Sequence, residues 1–536
     1  MAGFLALQWL ESWGLGNVLV CTDSELLVKG LLGKMMDQHT FNMILRNLTQ
    51  LRELHLDWLN ISSPLPHALL NLSYLTSLSH GYCLLHGKFS DNIFHFPNLR
   101  ELKLQQNSEL TGKLPNFNVT SSLQFLDLSE ISFSGQLPNS SSNLKALNIL
   151  YLFNCNFSGS ILASIGNLTQ ITNLGFTDNS VGGQIPSSIS NLVKLNGLYL
   201  DGNNLNGQIP DSLGNMSQLT DLFLSRNQLT ERLPWKNLWY IDPHSNLLQG
   251  PLPVPPNTII VFSISNNKLS GEIPPLICGL SSLLVLDLSN NSLSGLIPQC
   301  LGNLSNSLSV LNLGINSFSG TFAATFTKGN LLRNLNLNGN QIEGQVPRSL
   351  LNCEYLEVLD LGKNKINDTF PHWLKTLTEL QVLVLRFKRY HGHIGTFKTK
   401  SKHPFPKLRI IDISYNEFTG LLPTNYIKQF EAMTNVDGHE LKLKYMGEYY
   451  YQDSVVVLMK GYEIEYSRIL TVFSIIDLSS NKFQGEIPKS IEKLNSLRGL
   501  NLSHNNLTGH IPTSLRKLTN LELLDLSSNE FVGKIP

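Results

Sequence analysis

Residues 195–210 read LNGLYLDGNNLNGQIP, and the same skeleton, LxxLxLxxNxLxGxIP, returns along most of the 536-residue chain. Few features leave a chain so little choice. In LxxLxL the leucines alternate with polar positions, so the extended segment has one apolar face and one polar face. The Asn falls where the chain turns, and a return segment of the form IPxxLxxLxx leads into the next unit. No single unit can bury its own leucines, whereas stacked neighbours bury a continuous core. Leu195, Leu198 and Leu200 are expected to point inward, and each such leucine is worth about 2–5 kcal/mol against alanine.

Counting from the first Leu of LxxLxL, the turn Asn is position nine, and it sets the register. Asn holds that position at 107, 179, 203, 227, 246, 267, 291, 316, 340, 364 and 416, Cys83 and Cys155 take it in two repeats, and Leu59, Ile131 and Lys388 in three weaker ones. Most spacings are 24 residues, but Asn227 to Asn246 is 19 and Asn246 to Asn267 is 21. A self-similar Leu/Asn period of this length predicts a leucine-rich-repeat solenoid, of α/β type, with a parallel concave β-sheet. About sixteen repeats occupy residues 47–423. Residues 424–468, rich in Tyr and mixed charge, lack the pattern and read as an island inserted between repeats; DSVVVLMKGYEIEY within it suggests two short strands turning at Lys460–Gly461. Three repeats then return at Asn481, Asn505 and Asn529, and residues 469–536 end inside the last of them. Residues 1–46, with Trp9, Trp13 and Cys21, read as a degenerate cap. An uncapped array exposes its leucine-lined end, so the chain is expected to continue beyond Pro536 in a longer form.

The asparagines are expected to form a ladder inside the turns, satisfying backbone groups of their own and neighbouring coils, with cysteine as a small stand-in. Stacking at roughly 4.8 Å per strand, nineteen repeats would trace an arc of about 90 Å.

Charge is balanced at 40 basic and 40 acidic residues, with no basic block, which argues against a nucleic-acid partner. Six cysteines are too few for a disulfide framework over this length; Cys278 and Cys300, in neighbouring repeats, lie 22 residues apart, and a bridge between them is geometrically possible. Thirteen Asn-x-Ser/Thr sequons, at Asn47, Asn60, Asn71, Asn118, Asn139, Asn156, Asn167, Asn215, Asn290, Asn303, Asn367, Asn501 and Asn506, suit a secretory-pathway surface. The first twenty residues make a poor signal peptide, and no apolar run reaches transmembrane length. No phosphate loop, HExxH, GxSxG or kinase motif set is present, so no enzyme, cofactor or metal is expected; His391 and His393 read as surface residues around a turn.

Function then falls to the outward strand positions of the early and middle repeats. These vary, and they carry Arg100, Glu101, Lys103 and Gln105, then Tyr151 and Phe153, Tyr199 and Asp201, and Asp221, Phe223 and Arg226. Aromatic and Arg side chains on an exposed face are typical binding anchors.

The LxGxIP form is the plant-specific one. Together with NLTQLRELHLDWLNISS (47–63), LLNCEYLEVLDLGKNKINDTFPHWL (350–374), LQVLVLR (380–386), SIIDLSSNKFQGEIPKSI (474–491) and a Tyr451-x8-Lys460–Gly461 element, it makes the chain resemble the plant leucine-rich-repeat receptor-like proteins, the cell-surface immune receptors of the tomato leaf-mould resistance type. The resemblance covers about Asn47 to Pro536. It implies a superhelix interrupted by an island and recognition of a microbial or plant protein, peptide or glycan on the concave face. It also implies placement at the outer face of the plasma membrane and signalling through an adaptor kinase and a co-receptor leucine-rich-repeat receptor kinase. The co-receptor surface would fall on the island, with Tyr451, Lys460 and Gly461, and on the last three repeats. The signal peptide, intact cap and membrane helix of that family have no counterpart in this sequence. A developmental receptor-like protein and a secreted polygalacturonase-inhibitor-like protein are the other readings; the latter have about ten repeats and no island.

Overall fold

A computed structural model describes residues 19–21, 45–46, 48–58, 60–117, 121–230, 238–302, 304, 307–322, 326–387, 389–395, 404–434, 444–448, 451–459 and 462–535. Trp9, Trp13, Asn47, Leu59, Asn118, Asn303, Lys388, Lys460, Gly461 and Pro536 lie outside the described residues. The chain divides into two compact units, Met1–Gln249 and Gly250–Pro536.

In the first unit the LxL segments are three-residue strands that pair in parallel, each aligned with the next repeat: Glu53–His55, Ser77–Ser79, Glu101–Lys103, Phe125–Asp127, Ile149–Tyr151, Asn173–Gly175, Gly197–Tyr199, Asp221–Phe223 and Tyr240–Asp242. Leu19–Cys21 adds antiparallel to Glu53–His55. The second unit builds the same ladder from Val261–Ser263 to Leu523–Asp525. Its register continues across the island, with Ile410 opposite Ile475 and Asp412 opposite Asp477. Leu195, Leu198 and Leu200 are fully buried between coils.

The NxLxGxI segments form a second, parallel ladder on the far side of each coil, for example Ser180–Gly183 beside Asn204–Gly207. The return is a single 3-10 turn such as Ser187–Asn191, with Pro186 in extended conformation ahead of it. Proline fixes φ and the return is short, so one tight turn replaces a full helix. Among the described residues the four-residue α-helices, Thr424–Ile427 and Glu431–Thr434, both open the island.

The Asn ladder has one repeating geometry. The Asn203 amide donates to Phe176 O in the preceding repeat (2.8 Å), to Leu200 O (3.2 Å) and to Asp201 O (3.1 Å), and its Oδ1 accepts the Val181 N–H (3.0 Å). Cys83 and Cys155 reproduce the donor half, with Sγ 3.0 Å from Leu56 O and Leu128 O. These bonds hold a backbone that few residues adopt freely. Position eight, just before the Asn, has positive φ in repeat after repeat, as in Asp178 (52°), Arg226 (53°) and Tyr415 (53°). A left-handed non-glycine residue costs roughly 1–2 kcal/mol, and the buried, fourfold-bonded Asn beside it offsets that strain.

Cys278 and Cys300 are bridged, with their Cα atoms 5.7 Å apart. Cys83, Cys155 and Cys353 are buried thiols outside this bridge.

The island folds back over the strands of its own unit. Val455–Met459 and Tyr462–Tyr466 pair antiparallel, Met459 opposite Tyr462. Beneath them Val455, Val457, Met446, Ile469 and Phe473 share an apolar core with Val358, Val382, Val384, Ile410 and Ile475 of the concave strands. Polar contacts pin the edges of this cover. Tyr451 donates its hydroxyl to Asp287 (3.3 Å) and accepts from the Asn312 amide (3.0 Å), the Asn334 amide donates to Asp453 (2.6 Å), and Glu463 pairs with Lys363 and Arg386.

Candidate ligand-binding face

The two units differ in what the concave strands leave open. In the first unit the strands Glu101–Lys103, Phe125–Asp127, Ile149–Tyr151, Asp221–Phe223 and Tyr240–Asp242 keep only their central leucine or isoleucine buried, and the flanking side chains stay half-exposed. In the second, Val285–Asp287, Val310–Asn312, Val358–Asp360, Val382–Val384, Ile410–Asp412 and Ile475–Asp477 are buried at all three positions. The valines and isoleucines at position three sit in a column that the repeat alone would leave in water. Val358, Val382, Ile410 and Ile475 are covered by the apolar residues of the island.

The open stretch of the first unit carries a row of rings. Tyr151 stacks on Phe153 (centroids 4.8 Å apart), Tyr199 on Phe223 (5.4 Å) and Phe223 on Tyr240 (5.1 Å), while Phe125 meets Tyr151 edge-on (6.3 Å). Phe153 and Tyr199 stand edge-to-face at 6.0 Å, joining the two stacks. Gly175 makes room for this packing: a Cβ there would lie 2.1 Å from Phe153 Cε1. Self-packing pre-orders the rings, so little rotamer entropy remains to be lost on binding.

Polar groups frame the row. Glu130, Asn154, Thr177, Asp178 and Asp201 line, with Tyr151, Phe153, Tyr199 and Phe223, an open concavity of about 550 Å³. Thr177 donates to Asp201 (2.8 Å). Burial pushes the Asp201 carboxyl up, against the lowering effect of the Thr177 hydroxyl and Arg226, and burial likewise raises the Tyr151 and Tyr199 phenols. Toward the N-terminal side, Lys103 lies 4.6 Å from the Phe125 ring centre and pairs with Glu101. Burial raises Glu101, but hydrogen bonds from Lys103 and Ser77 outweigh it and hold the carboxyl below its usual value.

Of the residues singled out in the sequence, Tyr151, Phe153, Tyr199, Asp201 and Phe223 converge on this concavity. Lys103 and Asp221 flank it, Asp221 taking the Thr220 hydroxyl at 2.7 Å. Arg100 precedes the strand Glu101–Lys103 and is exposed at its edge, outside the ring row. The strand placement expected for Arg226 is corrected: the residue occupies a left-handed turn and not a strand, and its guanidinium reaches Asp178 (2.9 Å) and Asp201 (3.5 Å). Phe125, Tyr240, Asp178 and Glu130 were missed; positions three and eight had to be read as columns across repeats, as position five was.

Tyr451 is also recast. Its hydroxyl is spent on Asp287 and Asn312, and burial followed by the Asp287 charge pushes the phenol well up, so the residue anchors the island from inside. The exposed edge of the hairpin is Tyr462, with Ile464 beside it. Among the sequons, Asn60, Asn71, Asn139, Asn156, Asn167, Asn215, Asn290, Asn367 and Asn506 are exposed, whereas Asn501 is buried on the concave face and bonded to Asp477 (3.1 Å).

A stacked parallel sheet with an internal Asn ladder defines a leucine-rich-repeat solenoid. Sequence profiles described as leucine rich repeat match residues 331–389 and 474–531, and a second of the same description matches 146–168, 194–216, 258–280 and 282–304. In sequence the chain is similar to the plant leucine-rich-repeat receptor-like proteins. It is 39% identical over 265 residues to Receptor-like protein 53 of Arabidopsis thaliana (48% of this chain, 27% of the relative) and 43% identical over 246 residues to Receptor-like protein 33 of the same plant (46% and 27%). Each match thus spans about a quarter of the relative's length. In structure it is similar to the Arabidopsis receptor kinase HAESA, solved in complex with the peptide hormone IDA and the co-receptor SERK1, at TM-score 0.76 and 28% identity, covering 100% of this chain and 85% of that one. Among the described residues no helix is long and apolar enough to cross a membrane.

Proposed function

We propose that the chain is the ligand-recognition part of a plant receptor-like protein, a non-enzymatic module that binds an extended peptide along the ring row of its first unit. The observation that carries this reading is the contrast between the concave faces. One is covered over its middle strands by the island; the other is left open, pre-packed with Phe125, Tyr151, Phe153, Tyr199, Phe223 and Tyr240. Rigid, half-exposed aromatics are the side chains that most often dominate binding energy. The peptide-bound HAESA complex supports a peptide over a glycan as the ligand class. On this reading the chain acts at the outer face of the plasma membrane and signals in defence through an adaptor kinase and a co-receptor leucine-rich-repeat kinase, the latter docking at the hairpin edge of Tyr462 and Ile464 and the repeats at Asn481, Asn505 and Asn529.

The test is selection of a random dodecapeptide library on the full chain. Enriched peptides should lose binding to the Tyr199→Ala/Phe223→Ala variant and keep it with Tyr462→Ala. Peptides indifferent to the first variant would remove the ring row as the site.

A further inference from the structure

The concavity beside the ring row has a one-sided charge. Its lining includes the carboxylates of Glu130, Asp178 and Asp201 and no Lys, Arg or His. A cation from outside the lining already answers two of them. Arg226 extends from the neighbouring turn and places one guanidinium nitrogen 2.9 Å from Asp178 and 3.5 Å from Asp201. To do so it passes over Gly202, which separates Asp178 and Arg226 in the column of turn residues; a Cβ on Gly202 would lie 2.1 Å from Asp178 Oδ1 and 3.1 Å from the Arg226 Nη2. Gly202 also has φ of 64°, so both the space and the backbone favour glycine here. The guanidinium is held loosely on its outer side, where the Arg226 side chain remains 52% exposed and that of Asp178 44%, while that of Asp201 is 16% exposed. Exposed ion pairs of this kind are worth about 0–1 kcal/mol and exchange readily.

Resting on the reading of the ring row as a peptide groove, we propose that the ligand is a peptide carrying an arginine or lysine side chain, which enters the concavity and displaces Arg226 from Asp178 and Asp201. The acid pair supplies the charge, and Tyr199 and Phe223 supply flat walls for the aliphatic stem or guanidinium plane. Arg226 is then an internal competitor: it keeps the carboxylates neutralised when the groove is empty and sets a threshold that only a better-placed cation passes. A glycan or an acidic peptide would find three carboxylates and no counter-charge beyond the one already in place.

The experiment uses the dodecapeptides selected on the full chain, and a synthetic copy of the most enriched one. Arg and Lys should be over-represented among binders. Asp178→Asn/Asp201→Asn should weaken the synthetic peptide by about ten- to a hundredfold, the range for a charge-assisted hydrogen bond, and raising salt should weaken wild-type binding in the same direction. Arg226→Ala should tighten binding, the opposite sign from a structural defect, and this arm stands even where the double variant fails to fold. Peptides without Arg or Lys, or an Arg226→Ala variant that binds no more tightly, overturn the proposal. If such peptides still depend on Tyr199 and Phe223, the groove survives and only its cation preference falls; if they do not, both readings fall.

Discussion

At the scale of single residues the molecule is a set of buried polar groups, each held by a neighbour one repeat away. Asn364 is 1% exposed, yet its amide reaches Leu337 O, Leu361 O and Gly362 O, and its Oδ1 takes the Ile342 N–H. Two titratable residues sit in such interiors with opposite consequences. Burial holds His80 down to about 4 from an ordinary 6.5, against the pull of Asp57 and helped by His55. The folded state therefore refuses a proton that the unfolded chain accepts, and stability in the first unit is lost as pH falls from about 6.5 toward 4. Burial raises Asp360 to about 6 from 3.8, opposed by the Asn338 amide, the Gly362 N–H and Arg386. Here the folded state keeps a proton that the unfolded chain gives up, so stability in the second unit is present below about 4 and lost as pH rises through about 6. Thermal unfolding from pH 4 to 7 should show the acid arm flattened in His80→Gln and the alkaline decline flattened in Asp360→Asn. The slope is the readout, because either substitution also shifts the absolute stability.

Among the elements, the island hairpin carries the most consequence. It is fastened at one end by Tyr451 on Asp287 and Asn312 and along its length by Val455 and Val457 on the valines of the sheet. Tyr451→Phe keeps the ring but leaves Asp287 and Asn312 short of a partner, a cost of about 1–3 kcal/mol. Hydrogen exchange should then show lower protection at Val455–Val457 with the repeat strands unchanged. Uniform loss across the second unit would mean that Tyr451 belongs to the global core instead. The hairpin itself could be read from the Ile, Val and Tyr content on either side of Lys460–Gly461. Its resting place could not, although a hint was present: Val285, Val310, Val358, Val382, Ile410 and Ile475 occupy position three, where the first unit carries Glu101, Phe125, Asn173 and Asp221.

Over the whole molecule, the same repeat is put to two ends. Unit one leaves its concave ring row open, whereas part of unit two's strands lies beneath an insertion. Glycans report on which surfaces are free. Glycopeptide mass spectrometry of chain secreted from plant cells should find carbohydrate at exposed sequons such as Asn139, Asn167 and Asn215 and none at Asn501, whose amide is bonded to Asp477 and whose Oδ1 accepts from Ser503. Occupancy at Asn501 would mean that the last repeats fold only after modification. The sequon is a local pattern of three residues, blind to whether its Asn lies at a turn or on the concave face.

What the sequence determined by itself is whatever repeats. A period near 24 residues specifies the buried leucines, the left-handed turn and the Asn ladder, because those contacts lie within one coil or join it to the next. It also placed Tyr151, Tyr199 and Phe223 in one column, since they share position five. The tertiary structure alone decided which part of the concave face is open, that Tyr451 points inward, and that Arg226 bridges Asp178 and Asp201. The contacts that seal the second unit join residues 119 and 164 positions apart, Asn334 to Asp453 and Asp287 to Tyr451. They follow no period, so they arise only once the coils have stacked and the island has a surface to close upon.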